Sequence, residues 1–223
     1  GHLLSYDRIL DQGLSIDTTG LFLAQLEHMH SLKSLYSFFP AGHAFWDYFY
    51  DCYSETWKSV REESLCHAYR IGAFSMARFS ALARGKTALL RPFSMALAFL
   101  SDRTEDLPPL SASLDQHHIA LVLIDDLEDW RQDYRNCNFT YLLTLLIRKA
   151  GLTDEILSGH PVSATRVGQL LYTTGLMERQ LRLAETFFQK SNDTVGALPL
   201  ARWKHFNNGF RNRCRALRHD LAE

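Results

Sequence analysis

The chain has only four cysteines in 223 residues, Cys52, Cys66, Cys137 and Cys214, and no two of them form a C-x-x-C pair. That spacing excludes a thiolate zinc site and gives no disulfide framework, a pattern that fits a reducing cytoplasm. Six prolines and twelve glycines never gather into a linker, so residues 1–223 are expected to form one domain. No apolar run approaches the roughly 20 residues of a membrane span, so no integral membrane segment is expected. Neither charge predominates. Lys plus Arg number 24 against 25 Asp plus Glu, for a formal charge of −1. This offers no attraction for a nucleic-acid backbone and removes nucleic acid from the expected partners. The histidines lack H-E-x-x-H or any other zinc spacing.

What is present is apolar surface at helical spacing. Hydrophobic residues make up 46% of the chain and aromatics 12%. They recur every three to four positions, while alternating strand-like runs are hard to find. The fold is expected to be all-α, with helices at about 3–12, 18–38, 43–80, 86–101, 111–135, 138–150, 162–190 and 197–221. Pro40-Ala41-Gly42, Gly85, Pro108-Pro109, Gly159-His160-Pro161 and the stretch 191–196 supply the breaks.

Acidic residues carry the chemistry. In I-D-D-L-E-D-W-R-Q-D-Y, Asp125, Asp129 and Asp133 are four apart. On one helix each step of four turns roughly 400°, so the three carboxylates form a stripe drifting about 40° per step. Like charges at this spacing oppose helix formation by roughly 0.2–0.5 kcal/mol per pair, which points to a compensating cation. Oxygen-only ligands suit Mg²⁺, which keeps waters and completes its shell with substrate phosphates. A second pair, Asp7 and Asp11, opens the chain at the same spacing. Two such helices facing each other would clamp metal ions around a diphosphate and promote its departure.

These motifs resemble the class I isoprenoid synthases, the all-α family of polyprenyl diphosphate synthases and terpene cyclases. The resemblance covers most of the chain. D-R-I-L-D at 7–11 is similar to the first aspartate-rich motif, D-D-x-x-D, with Arg8 at its second position; the resemblance carries the metal-ligand role to Asp7 and Asp11. A-R-G-K-T-A-L-L-R-P at 83–92 resembles the segment whose lysine contacts diphosphate, which assigns Lys86. D-D-L-E-D-W-R-Q-D at 125–133 resembles the second aspartate-rich motif, followed by the similar N-F-T-Y-L-L at 138–143. Its Asp125, Asp129 and Asp133 also match the metal triad N-x-x-x-S-x-x-x-E of terpene cyclases. Arg202-Trp203 resembles the diphosphate-holding arginine-tyrosine pair of bacterial cyclases, with tryptophan for tyrosine.

The resemblance implies an isoprenoid synthase-type helical bundle with a central cavity, and a prenyl diphosphate as substrate. It also implies magnesium as cofactor. Family members carry two or three helices before the first motif and this chain has six residues, so N-terminal helices are expected to be missing. After Asp11 the chain reads Q-G-L-S-I-D where elongating enzymes carry Arg-Arg-Gly, which favours a one-substrate cyclase. The expected reaction is ionisation of an allylic prenyl diphosphate, then cyclisation or quenching of the carbocation, with Asp125, Asp129 and Lys86 catalytic. The alternatives are a chain-elongating prenyltransferase, a catalytically silent diphosphate-binding member, and a helical scaffold whose acidic stripe is a solvated face. Homodimerisation is left open.

Aromatic residues at 45, 46, 49, 50, 53 and 57 fall on neighbouring turns of one expected helix. Such rings could stabilise a carbocation, or simply fill a bundle core. His118, seven residues before Asp125, shares its face and is a further candidate for the pocket wall.

Overall fold

The computed structural model describes residues 18–69, 74–157 and 162–221, and it is helical throughout, with no strand among the described residues. The helices are α1 (Thr18–Phe38), α2 (Phe45–Tyr69), α3 (Met76–Lys86), α4 (Arg91–Leu100), α5 (Leu107–Glu128), α6 (Trp130–Arg135), α7 (Tyr141–Ala150), α8 (Thr153–Leu157), α9 (Ala164–Thr173), α10 (Leu176–Thr194) and α11 (Ala201–Asp220). No described helix is long and apolar enough to cross a membrane. The expected segment 3–12 lies outside the described residues.

The chain divides into two compact units, Gly1–Tyr48 and Phe49–Glu223. In the first, the turn after α1 is closed by aromatic packing. Phe39 stacks on Phe45 at 4.2 Å and Tyr36 on Trp46 at 4.1 Å. The Trp46 indole N–H donates to the Phe39 carbonyl at 3.0 Å.

The second unit is built around α5. Its neighbours are α10, which also packs against α11, and the shorter α3 and α4. Phe79, Leu82, Ile119, Leu123, Leu181 and Phe188 form the main core. Trp130, Leu142, Leu146, Val167 and Leu171 form a second core around α7 and α9. Each fully buried leucine or isoleucine contributes roughly 1.5–3 kcal/mol. Arg91, at the start of α4, is buried and bridges Glu55 of α2 and Asp115 of α5, at 2.7 Å each.

Several expected boundaries move, each for a local reason. The expected helix 43–80 is two helices, and Ser75 caps the second by accepting the Arg78 N–H at 3.2 Å. Pro108 and Pro109 do not precede α5. They lie in its first turn, where the missing N–H groups have no helical partner to lose. The expected helix 162–190 divides at Gly175, whose φ of +67° ends α9 and opens α10. The expected helix 111–135 breaks at Asp129 (φ −102°, ψ 4°). Beyond that break Trp130 is buried in the second core, close enough to α9 that a Cβ on Gly168 would come within 3.0 Å of its ring.

Candidate functional site

The break at Asp129 decides what the acidic segment can do. Asp125 and Asp129 are exposed and Asp133 is half-buried. The backbone still bonds at four-residue steps, Asp129 N–H to the Asp125 carbonyl at 2.9 Å and Asp133 N–H to the Asp129 carbonyl at 3.0 Å. Even so, none of the three lines the adjacent cavity. Asp126 does.

Asp126 continues the buried stripe of α5 after Ile119 and Leu123, at helical spacing, and is only 7% exposed. It lines a small, partly open cavity of about 20 Å³, bordered also by Glu63 of α2, Phe79 and Lys86 of α3, Val122 of α5, and Thr140 and Tyr141 at the start of α7. That volume holds about one water molecule. Tyr141 stacks on Phe79 at 5.0 Å and forms the apolar wall.

Around the cavity the polar atoms are incompletely paired. The Leu142 N–H, at the free amino end of α7, donates to the Asp126 carboxylate, so Asp126 caps that helix from a distance. Its Oδ2 has no hydrogen-bond partner, and neither has Thr140 Oγ1. Burial first, then the charges of Asp133 and Glu63, pushes the Asp126 carboxyl well above its usual range. The Leu142 amide and the Lys86 ammonium oppose that shift. Lys86, at the end of α3, is held by Glu63 at 2.8 Å, with both side chains largely shielded. The helices come this close because residue 85 is glycine: a Cβ there would lie 1.7 Å from Ser59 Oγ.

The remaining expected residues lie elsewhere or are not described. Asp7 and Asp11 lie outside the described residues, so the facing of two acidic helices is not part of the described structure. Arg202 is exposed in the first turn of α11. Its neighbour Trp203 donates its indole N–H to Ser113 Oγ at 2.9 Å, and so serves the α5–α11 contact. Of the aromatic set, Phe45 and Trp46 are buried within the first unit, and Tyr50 and Trp57 are 59% and 61% exposed; none of the six borders the cavity. His118 is buried beside His117 and does not border it either.

The residue that spacing overlooked is Asp126. Its signal was a carboxylate at i+7 from Ile119 and i+3 from Leu123, an acid interrupting an apolar stripe. Glu63 and Thr140 carried no comparable signal.

All the donors in and around the acidic segment are oxygens, the set that suits magnesium. Among the described residues no three His, Cys, Asp or Glu side chains come together around one point. A metal here would therefore rest on one or two carboxylates, with phosphate oxygens and water completing its shell. Comparison with known proteins finds no matching family model, curated protein or solved structure.

Proposed function

We propose that this chain is a class I terpene synthase-like enzyme, which ionises an allylic prenyl diphosphate with magnesium and lets the carbocation cyclise or meet water. The observation that carries this reading is the juxtaposition at the end of α5. A buried carboxylate with an unpartnered oxygen shares a small cavity with a lysine, directly beside a run of outward carboxylates. Asp125 and Asp129 would hold magnesium at the surface, with Asp133 next to them and Asp7 and Asp11 as the opposing pair. Bound magnesium would neutralise charge on the departing diphosphate.

Lys86 contributes a point charge for the same leaving group. Phe79 and Tyr141 make the dry side of the site, where ring faces favour a passing cation. An isoprenoid synthase-type bundle with a central cavity is the fold this reading requires.

A second reading, a diphosphate-binding member without turnover, is favoured by the present size of the cavity, about 20 Å³, which admits no prenyl chain without movement of its walls. An elongating prenyltransferase would use the same metals and join isopentenyl diphosphate to the allylic cation. The test is incubation with prenyl diphosphates of ten, fifteen and twenty carbons plus magnesium, with and without isopentenyl diphosphate, followed by mass spectrometry. A hydrocarbon or alcohol formed without the second substrate is the expected result. A longer diphosphate formed only with it selects the elongating enzyme, and magnesium-dependent binding with no product selects the silent member. Asp129→Ala should abolish turnover, and a fully active variant removes its role.

A further inference from the structure

We infer that Glu63 is an internal competitor for the diphosphate, holding Lys86 in a resting position that an incoming phosphate group must break. The inference rests on the proposed diphosphate site and adds its regulation. Three observations carry it. Lys86 Nζ lies 2.8 Å from Glu63 Oε2, and the two side chains are only 32% and 22% exposed, so water screens the pair weakly. Both residues border the same cavity as Asp126 and Thr140, whose Oδ2 and Oγ1 are buried without hydrogen-bond partners. Third, the close approach of Gly85, next to Lys86, to Ser59, one turn before Glu63, fixes α2 against α3 beside the pair.

A carboxylate and a phosphate oxygen make the same demand on an ammonium group, and one lysine satisfies them in turn. With Glu63 in place, binding of a phosphate group exchanges one charged partner for another and gains only the difference. With Glu63 neutral, the same binding event no longer displaces a carboxylate from the ammonium. The neighbouring Glu62 gives an internal control, because it carries the same charge but pairs with Arg78 at 2.9 Å and does not border the cavity.

The experiment is calorimetric titration of the whole chain with inorganic pyrophosphate in magnesium chloride at low ionic strength, for wild type, Glu63→Gln, Glu62→Gln, Lys86→Ala and the Glu63→Gln/Lys86→Ala double variant. Thermal melts establish that each is folded at the titration temperature. Glu63→Gln should bind roughly three- to ten-fold tighter, the range a partly buried ion pair can account for. Glu62→Gln should stay within about two-fold of wild type, since a rim charge acts only through screened, longer-range terms. Lys86→Ala should bind several-fold more weakly, and adding Glu63→Gln to it should restore nothing. Equal gains from Glu63→Gln and Glu62→Gln, with Lys86→Ala still weakened, would overturn the competition and leave the diphosphate site standing. Unchanged affinity in Lys86→Ala would remove the site itself and the competition with it.

Discussion

Two buried polar sites lie on the same helix, about three turns apart, and they are finished to different degrees. Near the middle of α5, Ser113 and Ser191 of α10 exchange hydroxyl-to-carbonyl bonds at 2.7 and 2.8 Å. His117 Nδ1 meets Asn207 Oδ1 of α11 at 2.7 Å, and the Asn207 amide donates to Ser191 Oγ and Asn192 Oδ1. Trp203 donates to Ser113. Rings of Phe188, Phe206 and Phe210 surround His117. At the end of α5, Asp126 keeps one oxygen without a partner beside a small cavity. A saturated network fixes the register of three helices, whereas a buried acid with an unpartnered oxygen costs stability unless a water or a ligand in the cavity pairs with it.

Breaking the saturated side should have the largest effect. Asn207→Ala removes the partner of His117 and one partner of Ser191 in a site closed to water, and should cost about 2–4 kcal/mol in urea unfolding. A loss below about 1 kcal/mol would mean that the network is dispensable for α11.

Acid tests the same region next. Burial, then the charges of His117 and Arg91, lowers the His118 imidazole to about 4, and burial also lowers His117 against the opposing bond from Asn207. The unfolded chain takes up these protons near pH 6.5 while the folded chain refuses them. The contribution of these two histidines is therefore complete above pH 6.5 and is lost as the pH drops from 6.5 towards 4. His118 alone gives a slope of up to about 1.4 kcal/mol per pH unit. His118→Leu deletes a buried nitrogen, Nδ1, that has no hydrogen-bond partner, so it should flatten the acid limb of a melting-temperature profile at little cost at neutral pH.

How far this was legible follows the same division. Helical periodicity marked α1 from Thr18 to Phe38 as the structure has it, because an apolar repeat every three to four residues is a local property. The break at Asp129 was not legible. It accompanies the burial of Trp130 against α9, a contact between residues 38 apart in sequence that no spacing encodes. For the site, the pitch of four picked out Asp125, Asp129 and Asp133 because it compares residues with one another. Asp126 differs from Asp125 by about 100° around the helix, and only the position of the core decides which of the two turns inward. Glu63 borders the cavity where α2 packs on α3 at Gly85, a glycine that in sequence reads as a helix break and in the fold is a close contact.

That contact predicts a smaller loss at the unfinished site. Gly85→Ala would place its Cβ 2.6 Å from Ser59 Cβ, so α2 and α3 must separate, at about 1–3 kcal/mol. The separation would also draw Lys86 from Glu63. Unfolding measurements should show part of the loss recovered when Ser59→Gly is added; no recovery would place the strain elsewhere.

The smallest expected change in stability belongs to Asp126→Asn, and it sharpens the comparison most. The amide oxygen can still accept the Leu142 N–H, so the cap on α7 survives. What disappears is the negative charge on a buried carboxylate oxygen that no partner compensates, replaced by a neutral amide nitrogen that can donate towards Glu63 or a water in the cavity. Urea unfolding should therefore change by less than about 1 kcal/mol, with any shift towards greater stability, as expected where a site is maintained against the interest of the fold. Turnover of a prenyl diphosphate should nevertheless fall at least about ten-fold, because the variant changes the acid that faces Lys86 across the cavity. A large loss of stability with full turnover would reverse the assignment, making Asp126 a structural group, as Asn207 is, and leaving the outward carboxylates as the whole of the site.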